Sequence, residues 1–233
     1  AVEGVRGARA ARWDAVLGQL VRRQRHGGAP LSAQMRQQIS LLHNKLEPDS
    51  PCRPRLLQWL AIAAGPDDLH LLVELLIAHP PRDAETAAVT MAPLFQRTDY
   101  DPAALFPRLL ETLQHVHLAT PVLDLCNYLT RQGRVDRHPG QQRLDELVAL
   151  LGRVVQRLAS LEESPHGEGE SLDAIRHQVD EGVALIVALC GALALIGDAR
   201  AVGKLYQAME LAHRRIRVEA AAAAIHRKRL QTV

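Results

Sequence analysis

IGDARAVGKLYQAM at residues 196–209, followed by IRVEAAAAAI at 216–225, decides how this chain folds. Gly197-Asp198 is a turn, and an aspartate there can accept hydrogen bonds from the free N–H groups of the helix it precedes while its charge suits the positive end of the helix dipole. The helix begun at Asp198 carries Val202, Leu205 and Tyr206 at helical spacing. The second piece, running from Ile216 to Leu230, is dominated by alanine, whose small side chain allows close approach to a neighbouring helix. Two such helices cannot bury their apolar faces alone, so the pair needs further pairs stacked on it.

Working outward, the same period recurs along the chain. Trp13, Val16, Leu17, Leu20 and Val21 form one stripe, and Met35, Ile39, Leu42 and Leu46 form the next. Leu56 to Ile62, Leu69 to Ile77, Ala84 to Gln96, Pro102 to His115, Leu118 to Arg131, Leu144 to Leu158 and Ser171 to Ile196 continue it. No segment alternates apolar and polar residues as a strand would, so the chain is expected to be all-α. Aligning Asp68 with Asp101, 33 residues apart, sets Leu72 and Leu76 against Leu105 and Leu109; aligning it with Asp198 sets them against Val202 and Tyr206. That recurrence predicts a repeat architecture, an α-solenoid of antiparallel helix pairs, rather than an irregular bundle. Residues 1–160 are expected to hold repeats that are irregular at the N-terminus, 161–170 a polar loop, and 171–233 the C-terminal repeats of the same solenoid. On the closing helix Val218, Ala221, Ala222 and Ile225 share a face that is expected to pack inward, leaving Ala220 and Ala223 outside.

The turn at Asp198 with its two helices resembles the HEAT-like repeat of the phycobilisome-lyase type. That unit has a Gly-Asp turn, a Val-x-x-Leu first helix, and a second helix opening Val-Arg-x-x-Ala-Ala. The resemblance holds over about 35 residues and more weakly over 56–130. It implies an α-α superhelix and a bond from the turn aspartate to the second-helix arginine, here Asp198 and Arg217. It also raises one enzymatic reading, a bilin-lyase-like protein.

Charge narrows the function classes. Lys+Arg of 28 against Asp+Glu of 26 gives a net charge of +2, without the surplus of a dedicated nucleic-acid binder. Aromatic residues make up only 3% of the chain, and Trp13 and Trp59 both fall on apolar stripes expected to be core, which leaves little to stack on a base. Basic residues nonetheless cluster at Arg22, Arg23 and Arg25 and again at Arg214, Arg215, Arg217, Arg227, Lys228 and Arg229. No Gly-x-Ser-x-Gly, phosphate loop or dinucleotide fingerprint occurs, and none of the 11 histidines is followed by glutamate, the pairing a di-iron hydroxylase of this fold would need. His115 and His117 point to opposite sides of a helix; His70 with Glu74 reads as a surface pair; Glu162, Glu163, His166, Glu168 and Glu170 read as a solvated loop.

Cys52, Cys126 and Cys190 lie far apart beside apolar runs and are expected to be buried free thiols, which fits a reducing compartment. The uncharged run from Gly182 to Gly197 is shorter than a bilayer span and reads as a buried helix. The reading is therefore a non-enzymatic scaffold of the bacterial cytoplasm, without cofactor, metal or membrane, that binds a protein partner through its concave row of helices. Arg214, Arg215, Arg227, Lys228 and Arg229 are its candidate partner-binding residues, and Asp198 with Arg217 its structural pair. The runner-up is a HEAT-like nucleic-acid-binding or DNA-repair protein.

Overall fold

A computed structural model describes residues 2–27, 30–163 and 171–230, with side chains for 12–27, 30–162 and 171–225. The described residues are helical throughout, with no strand. The α-helices are α1 (Val2–Arg25), α2 (Ala33–Lys45), α3 (Cys52–Ala63), α4 (Pro66–Ala78), α5 (Ala84–Gln96), α6 (Val116–Arg131), α7 (Leu144–Glu163), α8 (Leu172–Ile196), α9 (Val202–Met209) and α10 (Arg214–Leu230). Short 3-10 turns occupy Pro102–Ala104, Arg108–Gln114, Pro139–Arg143 and Ala199–Ala201.

The helix starts follow the side chains available to cap them. Ser32, Asp83 and Ser171 accept from the amides of Met35, Thr86 and Ala174 at 3.2, 2.7 and 3.2 Å, each satisfying an N–H that the first turn leaves without a partner. Asp101 and Asp198 do the same job in the same way, each accepting from the amide two residues on, Ala103 at 2.8 Å and Arg200 at 2.9 Å, ahead of a 3-10 turn. Asp68 differs. It sits inside the first turn of α4 and reaches back to the amide of Gly65 at 3.1 Å, so the alignment of Asp68 with Asp101 pairs a third helical position with a cap.

The expected helix from Pro102 to His115 is two 3-10 turns instead. Pro107 stands at the break, where it has no N–H to donate to a helical ladder. Pro93 is tolerated inside α5 because the carbonyl it leaves without a donor, that of Val89, receives Nε2 of Gln58 at 3.3 Å.

The chain divides into two compact units, Ala1–Val122 and Leu123–Val233, with the division inside α6; α7 and α8 belong to the second, and α7 continues through Glu163, so residues 161–163, expected as loop, are helical. In the first unit α3 is the central helix, packed by α1, α2, α4 and α5, while α4 also meets α2 and the 3-10 turns of 102–114. The sequence of α3 explains its place: Leu56, Leu57, Trp59, Leu60 and Ile62 are apolar on every side and all are buried. In the second unit α7 packs on α8 and α9, and α10 on α8 and α9. In both units the principal helix–helix packings join first and second neighbours in sequence, as α3 with α4 and α5 and α10 with α9 and α8.

Close approach in the second unit is made at glycines of α8. A Cβ on Gly182 would lie 2.9 Å from Cδ2 of Leu158 on α7, and one on Gly191 would lie 2.9 Å from Nδ2 of Asn127 on α6. By length and composition α8 is apolar enough to cross a membrane, with a mean hydropathy of 2.2 over its most apolar window. Its apolar half, including Leu185, Ile186, Leu189 and Leu193, is buried inside the unit.

Two expectations about faces are overturned. Trp13 is 55% exposed, not core. The ties between α1 and α3 run from Asp14, bonded to Arg55 at 3.1 Å, to Gln24, which accepts from Nε1 of Trp59 at 3.4 Å, and Trp13 lies beyond the first of them. On α10 the buried residues are Ile216, Ala220 and Ala223, while Val218 and Ile225 are 58% and 56% exposed and Ala222 is also exposed. A helix with five successive alanines offers more than one apolar stripe, and the one with the smallest side chains faces in because it brings the backbones of α8, α9 and α10 closest.

Candidate functional site

The outward face of α10 is what the inverted packing leaves available. Successive helix residues turn by 100°, so Arg214, Val218, Ala222 and Ile225 fall within one narrow stripe, with Arg215 and Arg217 on its flanks. All six side chains are exposed. From Val218 to Ile225 the stripe runs about 10 Å along the axis.

The opposite face of α10 is packed against the unit. Ile216 and Ala220 are fully buried and Ala223 nearly so. Beneath them the second unit contains a closed polar relay: Asn127 donates from Nδ2 to the carbonyl of Ala188 at 2.9 Å, and its Oδ1 lies 3.1 Å from Nε2 of His138. Nδ1 of His138 accepts from the amide of Gly140 at 3.1 Å, which assigns the ring proton to Nε2 and makes Asn127 the acceptor. Burial and the charge of Arg131 lower the His138 pKa to about 4, so the ring is neutral and the relay is matched donor to acceptor. At the other end of α9, Arg200 holds both carboxylate oxygens of Asp198 at 3.1 Å and reaches Asp145 on α7 at 2.7 Å.

The sequence-predicted residues distribute as follows. Arg214 and Arg215 stand at the start of α10, and Arg215 joins Arg131 in drawing down the Asp124 carboxyl against the desolvation that raises it. The side chains of Arg227, Lys228 and Arg229 lie outside the described ones. Asp198 is a cap engaged by Arg200, and Arg217 is exposed on α10. Arg22, Arg23 and Arg25 are exposed at the end of α1, in the other unit.

Glu74 pairs with Arg108 at 3.3 Å. The rings of His115 and His117 lie 5.9 Å apart, because His115 has extended backbone before α6 begins. Among the described residues no group of three or more His, Cys, Asp or Glu is arranged to hold a metal. His166, Glu168 and Glu170 lie outside the described residues. Cys52, Cys126 and Cys190 are buried and form no disulfide, and burial raises all three thiols, Cys190 to about 12 with help from Glu219. A protonated buried thiol is a poor nucleophile.

Buried polar groups escaped the sequence reading, His43 and the Asn127–His138 pair among them. His43 lies four residues after Ile39, on the same helical stripe, and is fully buried. Its spacing from Ile39 was the available signal.

Comparison with known proteins finds no family model that matches the chain, and no curated protein or solved structure similar to it.

Proposed function

We propose that the chain is a non-enzymatic helical-repeat scaffold, an α-solenoid of HEAT-like helix pairs, that binds an acidic amphipathic segment of a protein partner along α10. The repeat reading is supported by helices that pack on their first and second neighbours, as stacked pairs do, and by the equivalent caps at Asp101 and Asp198. The observation that carries the binding reading is the pair Val218 and Ile225, 58% and 56% exposed on one stripe beside Arg214, Arg215 and Arg217. Charge complementarity names the occupant: α10 carries six Lys and Arg against the single Glu219, so a helix with acidic flanks and an apolar stripe fits it. The aliphatic stripe favours a protein over nucleic acid, since a phosphate backbone gains nothing from Val218 and Ile225. Three buried thiols outside any disulfide suit a reducing cytoplasm.

The test is selection from an unbiased display library of helix-length peptides on the immobilised full chain. Acidic peptides with apolar residues at helical spacing are the expected winners, binding should weaken as salt rises, and Val218→Asp with Ile225→Asp should abolish it. Enrichment of basic peptides, equal binding by the double variant, or tighter binding of a DNA duplex through Arg214, Arg215 and Arg217 would sink the proposal.

A further inference from the structure

In the first unit, the end of α2, the turn into α3 and the turn between α4 and α5 enclose a cleft of about 210 Å³. Its floor is His43, fully buried, and neither ring nitrogen has a hydrogen-bond partner. Arg53 lines the same cleft; one terminal nitrogen donates to the carbonyl of Leu46 at 2.7 Å, but its buried Nε–H has no acceptor. A buried polar group left without a partner is destabilising, and native proteins seldom leave several together without a ligand or water to meet them.

The other charged and titratable groups of the cleft are His79, Arg82, Asp49 and Asp83. The His79 ring lies 5.6 Å from that of His43. Arg82 is ion-paired with Asp49, and Asp83 caps α5 through the Thr86 amide. Arg53 and His43 therefore bring to the lining of the cleft a charged N–H without an acceptor and an imidazole that can present another N–H, and their common complement is an anionic oxygen acceptor. Typical small-molecule pockets span ~300–1,000 Å³, so this cleft suits a small group rather than a nucleotide.

We propose that the cleft binds a small oxyanion, a carboxylate or a phosphate, held by Nε–H of Arg53 and a ring N–H of His43. Burial, Arg53 and His79 hold the His43 pKa at about 4. An anion seated between Arg53 and His43 offsets the positive charge that His43 feels, so binding raises that pKa and takes up a proton.

The test uses the full chain in chloride buffer at constant ionic strength, titrated with inorganic phosphate in one arm and acetate in the other. At least one anion should raise Tm saturably and move the His43 imidazole titration, followed by NMR, up by a unit or more. Arg53→Gln should weaken binding at least tenfold. A response to phosphate alone assigns a phosphoryl ligand, a response to acetate alone a carboxylate, and either supports the proposal. Should both anions act no differently from chloride, or should Arg53→Gln respond like the natural chain, it is overturned. The imidazole titration of the unmodified protein keeps the test decisive even if Arg53→Gln fails to fold.

Discussion

His43 and His138 make the stability of this protein acid-sensitive. Both pKa values are lowered to about 4 from an ordinary 6.5, largely by burial. Between those values the unfolded chain binds protons that the folded chain refuses, so stability is greatest above pH 6.5 and falls as the pH drops. By pH 5 each residue should cost about 2 kcal/mol. Thermal melts in chloride should therefore lose Tm steadily from pH 7.5 to 5, and His43→Phe should remove roughly half of that slope. A flat profile would mean that neither ring is held neutral.

The glycines give a second prediction at this scale. Gly182→Ala adds a methyl 2.9 Å from the buried Leu158, and overpacking of ~1–3 kcal/mol outweighs the ~1 kcal/mol of helix propensity gained. Gly18→Ala, inside α1 with nothing within 4 Å, should instead stabilise by roughly 0.5–1 kcal/mol. Chemical denaturation reads both, and a gain at Gly182 would show that α7 and α8 do not meet there.

At the level of elements, α10 carries the sharpest contrast. Ala223 is 3% exposed and Ala222 is exposed, so Ala223→Leu should cost about 1–3 kcal/mol while Ala222→Leu changes stability by less than about 0.5 kcal/mol. Equal shifts in Tm would show that α10 does not dock through Ile216, Ala220 and Ala223. The inward face was illegible in the sequence for a physical reason: hydrophobicity ranks Val218 and Ile225 above alanine, whereas close helix packing selects the smaller side chains. The turns at Asp101 and Asp198 were legible because each aspartate acts locally on the amide two residues away, whereas Asp68 proved to sit inside the first turn of α4. Pro107 broke an expected helix that Pro93 did not, since rescue of the Val89 carbonyl by Gln58 is a contact across 31 residues that no local pattern encodes. The candidate basic residues could be read from composition, but their relation to an exposed apolar stripe depended on which face α10 buries.

For the molecule as a whole, two compact units each built from helices packed on their first and second neighbours leave function to the faces that packing does not use. The relay of Asn127 and His138 ties α6 to α8, and α10 packs on α8 through the face opposite its outer stripe. Binding there should protect one helix rather than order a whole unit. Hydrogen exchange of the full chain, with and without a saturating acidic amphipathic peptide from the selection, measures this directly. Slowed exchange centred on residues 214–225 is the predicted result; protection elsewhere with α10 unchanged would contradict the assignment of this face as the binding surface.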